Sequence, residues 1–225
     1  MIKVVLLDVD NTLMDFHECA RQAMHITAGE LEIAFPENIF EVFTKINNGL
    51  WLDIEKGTLT VEELHRVRWG KIFDAIGIQR DGVQFEQCFL KNLARGSATV
   101  EGAKELLVYL EQKYTLCIAS NAPYHQQTSR LTNGNLLQHF EKLFISERIG
   151  YAKPKKEFFD ACMKELPGIA KEEIIMIGDS LTADIAGASA YGIKTCWFNF
   201  GKVPREQGAM ADYIVDSLAE IKKIL

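Results

Sequence analysis

Apolar residues fall in short unbroken runs at the start of the chain and again beyond residue 110. The first is Ile2-Lys3-Val4-Val5-Leu6-Leu7, followed by Tyr114–Ser120, Leu143–Ser146, Ile174–Gly178, Lys194–Phe198 and a weaker Tyr213–Val215. Such runs do not alternate with polar residues, so they predict strands buried on both faces rather than strands with one wet side. Segments of helical period lie between them, near Gly102–Lys113, Gln126–Leu137, Lys155–Leu166, Thr182–Tyr191 and Ser217–Leu225. Strand and helix in alternation predict an α/β fold, a Rossmann-like parallel sheet with helices on both faces.

Residues ~15 to ~95 break that alternation. They hold no convincing strand and read as several helices. Pro36 suits a first helical turn. Thr60-Val61-Glu62-Glu63 has the form of a capping box opening a helix to about Ile76. Inserted after the first strand, the block reads as an all-helical cap over the sheet's carboxyl edge. The expected division is a catalytic core of residues 1–15 and 96–225 and a cap of residues 16–95. The natural hinges are then Asp15–Phe16 and Gly96–Val100.

The composition is that of an ordinary globular protein, 48% hydrophobic and 25% charged over 225 residues. A net charge of −6 excludes a nucleic-acid polymer as the main partner, because that requires a basic face. It leaves room for a small phosphorylated ligand held by local donors. Cys19, Cys88, Cys117, Cys162 and Cys196 are odd in number and far apart, as expected of reduced thiols in a cytoplasmic protein. With no 18-residue apolar span and a strand at the very start, neither a membrane helix nor a leader is expected. A monomer or homodimer is expected.

Polar residues collect where the strands end. The first strand runs into Asp8-Val9-Asp10-Asn11-Thr12, the second into Ser120-Asn121, and the fourth into Gly178-Asp179-Ser180 with Asp184 five positions after Asp179. Lys153-Pro154 follows the third. Asp8 and Asp10 stand two apart in an extended segment, so both can face one site. Close like charges call for a cation or a shared proton. A strand-to-loop cap would account for Asp8 and Thr12 alone. It does not account for four strand ends delivering carboxylates, a hydroxyl, an amide and a lysine to the crevice where open α/β sheets bind ligands. The set suits phosphate: a carboxylate nucleophile, donors for phosphoryl oxygens, and acids for a hard cation such as Mg²⁺.

Together these residues resemble the four motifs of the haloacid dehalogenase superfamily, in order and across essentially the whole chain. The resemblance implies an inserted helical cap of type C1. It implies Asp8 as nucleophile and Mg²⁺ ligand, with Asp10 as general acid/base and a metal ligand through its backbone carbonyl. Asp179 would bind the metal, and Asp184 would orient the metal's water or Lys153. Ser120, Asn121 and Thr12 would serve the phosphate loop, and Lys153 would be the catalytic cation. Halide-cleaving members lack the second aspartate, so Asp10 favours a phosphatase. The Asn47–Gly57 segment and Arg68-Trp69 are similar to the branch of 5′-nucleotidases acting on pyrimidine and non-canonical nucleoside monophosphates.

The expected substrate is therefore a nucleoside 5′-monophosphate. A sugar phosphate or other small metabolite, or a phosphomutase reaction, is the alternative within enzymes. A phospho-aspartate receiver is the alternative outside them. Candidate substrate contacts are Phe16, Asn47, Asn48, Trp51, Arg68 and Trp69, although both tryptophans also suit a packed cap core. One departure stands out: Ala122-Pro123 follows Ser120-Asn121 where many relatives carry glycine. That leaves the amides of Asn121 and Ala122 as the expected backbone donors.

Overall fold

The computed structural model describes residues 1–208 and 210–225. The chain divides into two compact units, Met1–Phe16 with Ser97–Leu225, and His17–Gly96.

The first unit is built on six strands: β1 (Val4–Leu7), β2 (Thr115–Ser120), β3 (Lys142–Ile145), β4 (Ile174–Gly178), β5 (Lys194–Phe198) and β6 (Tyr213–Val215). All pair in parallel, in the order β3-β2-β1-β4-β5-β6. The apolar runs became strands because both of their faces are covered. Val4, Leu6, Cys117, Ala119, Ile174 and Met176 pack on one side with Phe158, Phe159 and Cys162, while Val5, Leu7, Leu116, Ile118, Ile175 and Ile177 are buried on the other. In register, Leu7 lies opposite Ile118 of β2 and Ile177 of β4. Three strands therefore end side by side at the sheet's centre, where the strand order reverses.

In chain order the helices are α1 (Phe16–Glu30), α2 (Ile39–Lys56), α3 (Val61–Ile76), α4 (Gly82–Leu93), α5 (Ala103–Leu110), α6 (Tyr124–Asn133), α7 (Ser146–Ile149), α8 (Lys156–Lys164), α9 (Gly187–Tyr191) and α10 (Leu218–Ile221). The expected helix from Thr182 begins as a π-helical turn, Leu181–Ala186, before α9. Pro36 stands three residues ahead of α2, not within its first turn. No helix among the described residues is long and apolar enough to cross a membrane.

The helical unit holds α2, α3, α4 and all of α1 beyond Phe16. The capping box at its third helix is formed: Glu63 N donates to Thr60 Oγ1 at 3.2 Å, and Thr60 N donates to Glu63 Oε2 at 2.8 Å. Trp69 is the hub of its core, with Phe35, Phe43, Phe73, Phe85 and Phe89 at ring-centroid distances of 4.1 to 5.9 Å. α3 and α4 approach closely at Gly70 and Gly82; a Cβ on Gly82 would stand 2.4 Å from Gly70 N.

The two connections between the units run hydrogen-bonded to one another on the α/β side. Asp15 N donates to Ala98 O at 3.0 Å, and Val100 N donates to Leu13 O at 2.9 Å.

Candidate active site

The loop after β1 is a tight reversal. Leu13 N and Met14 N both donate to Val9 O, at 2.9 and 2.8 Å, and Asn11 N donates to Met14 O at 2.7 Å. Asn11 takes φ 59°, a left-handed conformation that asparagine tolerates better than most residues. Thr12 is fully buried in this loop, with no hydrogen-bond partner for Oγ1 among the described residues.

Asp8 is buried at the end of β1. Lys153 Nζ donates to Asp8 Oδ1 at 2.8 Å, to Asp184 Oδ1 at 2.6 Å and to Ala119 O. An ammonium has three protons, so all are placed. Burial works against the charge on Lys153, but Asp184 and Asp8 outweigh it and push its pKa above the ordinary value. One carboxylate oxygen from each of Asp8, Asp179 and Asp184 lies within 4.8 Å of the others. Burial pushes the Asp8 carboxyl up to about 7; Lys153 opposes that rise, while Asp184 and Asp10 add to it. Asp179 is raised well above the carboxylate range by burial, with Asp8 and Asp184 adding to it. Three carboxylates face one lysine here, and that imbalance suits a hard cation with oxygen ligands.

The Asp184 carboxylate and the Asp179 backbone are each held by a neighbouring donor. Ser180 N donates to Asp184 Oδ2 at 3.1 Å, and Trp197 Nε1 donates to Asp179 O at 2.9 Å. Gly178 leaves the room: a Cβ there would lie 2.2 Å from Asp184 Oδ2.

Asn121 follows Ser120 at the end of β2. Its side chain clamps the Lys153 backbone, donating to Lys153 O and accepting from Lys153 N, both at 2.9 Å. With amide oxygen and nitrogen so engaged, the side chain holds the backbone of Lys153 in place, and the phosphate donor expected at this position is the Asn121 backbone N–H. The Ala122 amide is also engaged, donating to Ser120 Oγ at 3.2 Å.

The sequence reading missed Gln127 and Arg130. Both are fully buried on α6. Gln127 Nε2 donates to Asp10 Oδ2 at 2.7 Å, and Arg130 Nη1 to Asp10 Oδ1 at 2.6 Å. The only available signal was their spacing of three on a helix, too common to single out.

In the helical unit, three candidate contacts belong to the core. Trp69 is 0% exposed among phenylalanines. Arg68 is 2% exposed and ion-paired with Glu86, with Nη1 donating to Asn47 Oδ1 at 2.8 Å. A buried guanidinium needs such partners, and they occupy it. Asn47, Arg68 and Trp69 are therefore corrected from substrate contacts to packing. Asn48 is exposed, and Trp51 is half-buried beside Leu50, Ile54 and Leu64. Phe16, in the α/β unit, lies under the Arg130 guanidinium at 5.8 Å.

A family model described as haloacid dehalogenase-like hydrolase matches residues 2–192. The chain belongs to that family. Among relatives, the pyrimidine 5′-nucleotidase PynA of Streptococcus pneumoniae is 33% identical, covering 97% of this chain and 93% of its own length. The pyrimidine 5′-nucleotidase YjjG of Escherichia coli is 26% identical, covering 98% and 96%. The HAD-hydrolase YfnB of Bacillus subtilis is 32% identical, covering 99% and 95%. A crystal structure of YfnB bound to magnesium superposes with a TM-score of 0.94 over 100% of this chain and 98% of that one. The acid cluster of Asp8, Asp179 and Asp184 lies beside the ends of the central strands β1 and β4.

Proposed function

We propose that this protein is a Mg²⁺-dependent phosphomonoester hydrolase acting on nucleoside 5′-monophosphates, pyrimidine ones foremost. The similarity to PynA and YjjG along nearly the whole chain carries the substrate class. The chemistry rests on the Asp8–Lys153–Asp184 network and on Asp10 beside it.

In this mechanism an Asp8 oxygen attacks phosphorus while the bond to the nucleoside oxygen breaks, and Asp10 gives that oxygen its proton. The aspartyl-phosphate is then hydrolysed. Asp10, now a base, takes a proton from water as the water oxygen attacks phosphorus, and the Asp8 carboxylate leaves with inorganic phosphate as the other product. Lys153 fixes the Asp8 carboxylate and offsets its charge. The Ser120 hydroxyl binds a phosphoryl oxygen. The donor set fits a divalent cation: held by Asp8, Asp179 and the Asp10 carbonyl, with Asp184 beside them, Mg²⁺ would offset the repulsion between carboxylates and phosphate. We read the helical unit as the substrate-selecting cap, with Phe16, Asn48 and Trp51 as the remaining candidate contacts.

A panel of pyrimidine and purine nucleoside monophosphates and sugar phosphates, assayed for phosphate release with Mg²⁺, tests this reading. The highest kcat/KM is expected on a pyrimidine monophosphate, with none in excess chelator. Preference for a sugar phosphate would move the substrate class, and no hydrolysis of any ester would sink the proposal.

A further inference from the structure

Gln127 and Arg130 do something that packing does not require. An apolar pair would fill the same space on α6 without the cost of burying an amide and a guanidinium. Both instead direct donors at Asp10, one to each carboxylate oxygen, at 2.7 and 2.6 Å. Arg130 Nη1 also lies 3.4 Å from Gln127 Oε1, which orients the amide with its nitrogen toward the acceptors. That same Nε2 donates to Ser120 Oγ at 2.9 Å.

The consequence at Ser120 follows from counting. A hydroxyl oxygen accepts two hydrogen bonds and donates one. The Gln127 amide and the Ala122 N–H fill both acceptor positions. The hydroxyl proton is what remains, and a phosphoryl oxygen is an acceptor. Gln127 thus ties the proton-transfer carboxylate and the phosphate-binding hydroxyl into one rigid unit, and Arg130 braces the carboxylate from its other oxygen.

We propose that Gln127 and Arg130 are positioning residues of phosphoryl transfer, fixing Asp10 for proton transfer to the leaving group and committing Ser120 to donate. The inference rests on the phosphomonoesterase reading above. It separates from a purely structural role by leaving-group dependence. An alkyl phosphate needs a well-placed acid when its alkoxide departs, whereas 4-nitrophenolate leaves without one.

The test compares wild type, Arg130→Met, Arg130→Lys, Gln127→Leu and Asp10→Asn on two esters: the best alkyl phosphomonoester from the panel and 4-nitrophenyl phosphate. The parameter is kcat/KM, which reports the steps through leaving-group departure, with thermal melting as the folding control. Arg130→Met is expected to lose about a hundredfold on the alkyl ester but less than about fivefold on 4-nitrophenyl phosphate. Arg130→Lys should recover part of the loss. Gln127→Leu should lose on both esters, because it releases Ser120 as well as Asp10. Equal losses on both esters for Arg130→Met, or none, would overturn the proposal. Should Arg130→Met fail to fold, full activity in a folded Gln127→Leu would overturn it instead. A wild type inactive on every ester brings down the phosphomonoesterase reading itself. An active wild type with Asp10→Asn dead and Arg130→Met unimpaired brings down only this inference.

Discussion

Each unit of this protein buries a polar cluster, and the two clusters differ in how their charges balance. In the helical unit Arg68 meets Glu86 and Asn47, one positive charge against one negative, with the amide oxygen taking a further guanidinium proton. At the strand ends of the α/β unit, Asp8, Asp179 and Asp184 gather around Lys153, three acids against one base. A balanced, satisfied cluster makes structural sense by itself. Burial raises the carboxyl pKa in both, at Glu86 as at Asp8 and Asp179, but only in the unbalanced one do neighbouring carboxylates add to the rise. That one makes sense only with something added: a cation, a substrate or a proton. Burial of polar residues is common to both clusters; uncompensated charge sets the strand-end one apart.

The contrast predicts opposite outcomes for removing one group from each cluster. Asp8→Asn should reduce turnover at least about a thousandfold, since the attacking carboxylate is gone. It should leave melting unchanged or raised, because the mutation relieves repulsion; phosphate-release kinetics and calorimetry check both parts. Arg68→Met should do the reverse, destabilising the fold by about 3 kcal/mol because Glu86 is left buried without its partner. Denaturant unfolding measures that loss, and the mechanism at Asp8 should survive in the folded fraction.

A smaller effect sharpens the same point. The Asp8 carboxyl titrates near 3.8 when free and at about 7 in the metal-free fold. Between those values the folded state holds a proton that the unfolded state has lost. Metal-free stability should therefore fall as pH rises from about 4 to 7, by up to about 1 kcal/mol per unit. Asp8→Asn should flatten the slope, and excess Mg²⁺ should restore stability at pH 7 by mass action. A pH series of melting curves with and without Mg²⁺ measures this. The smallest expected effect is at Trp51. Trp51→Leu should raise KM for a nucleotide by about tenfold if its ring stacks on the base, and leave KM for 4-nitrophenyl phosphate unchanged. Equal changes on both substrates would assign Trp51 to packing, as for Trp69.

The sequence carried the sheet well because burial on both faces writes continuous apolar runs. Ile174–Gly178 and Lys194–Phe198 are β4 and β5 to the residue. Asp8, Asp10, Asp179 and Asp184 were legible for a related reason: each follows a run whose end is sharply marked. Gln127 and Arg130 were not, since Tyr-His-Gln-Gln-Thr-Ser-Arg reads as a solvated helix and nothing local points to an acid 117 or 120 residues earlier. Arg68 and Asn47 failed in the opposite direction. Glu86 and Asn47 lie 18 and 21 residues from Arg68 along the chain, on different helices, so a pairing inside the core could not be told from a hand held out to a ligand.

On the proposed mechanism, turnover passes through a phosphoryl group on Asp8. Acid-quenching the enzyme during turnover of its best phosphomonoester with Mg²⁺, followed by peptide mass mapping, would trap that intermediate. A phosphorylated peptide containing Asp8 is expected in wild type and absent in Asp8→Asn. Phosphorylation at another residue, or phosphate release by Asp8→Asn at the wild-type rate, would contradict it.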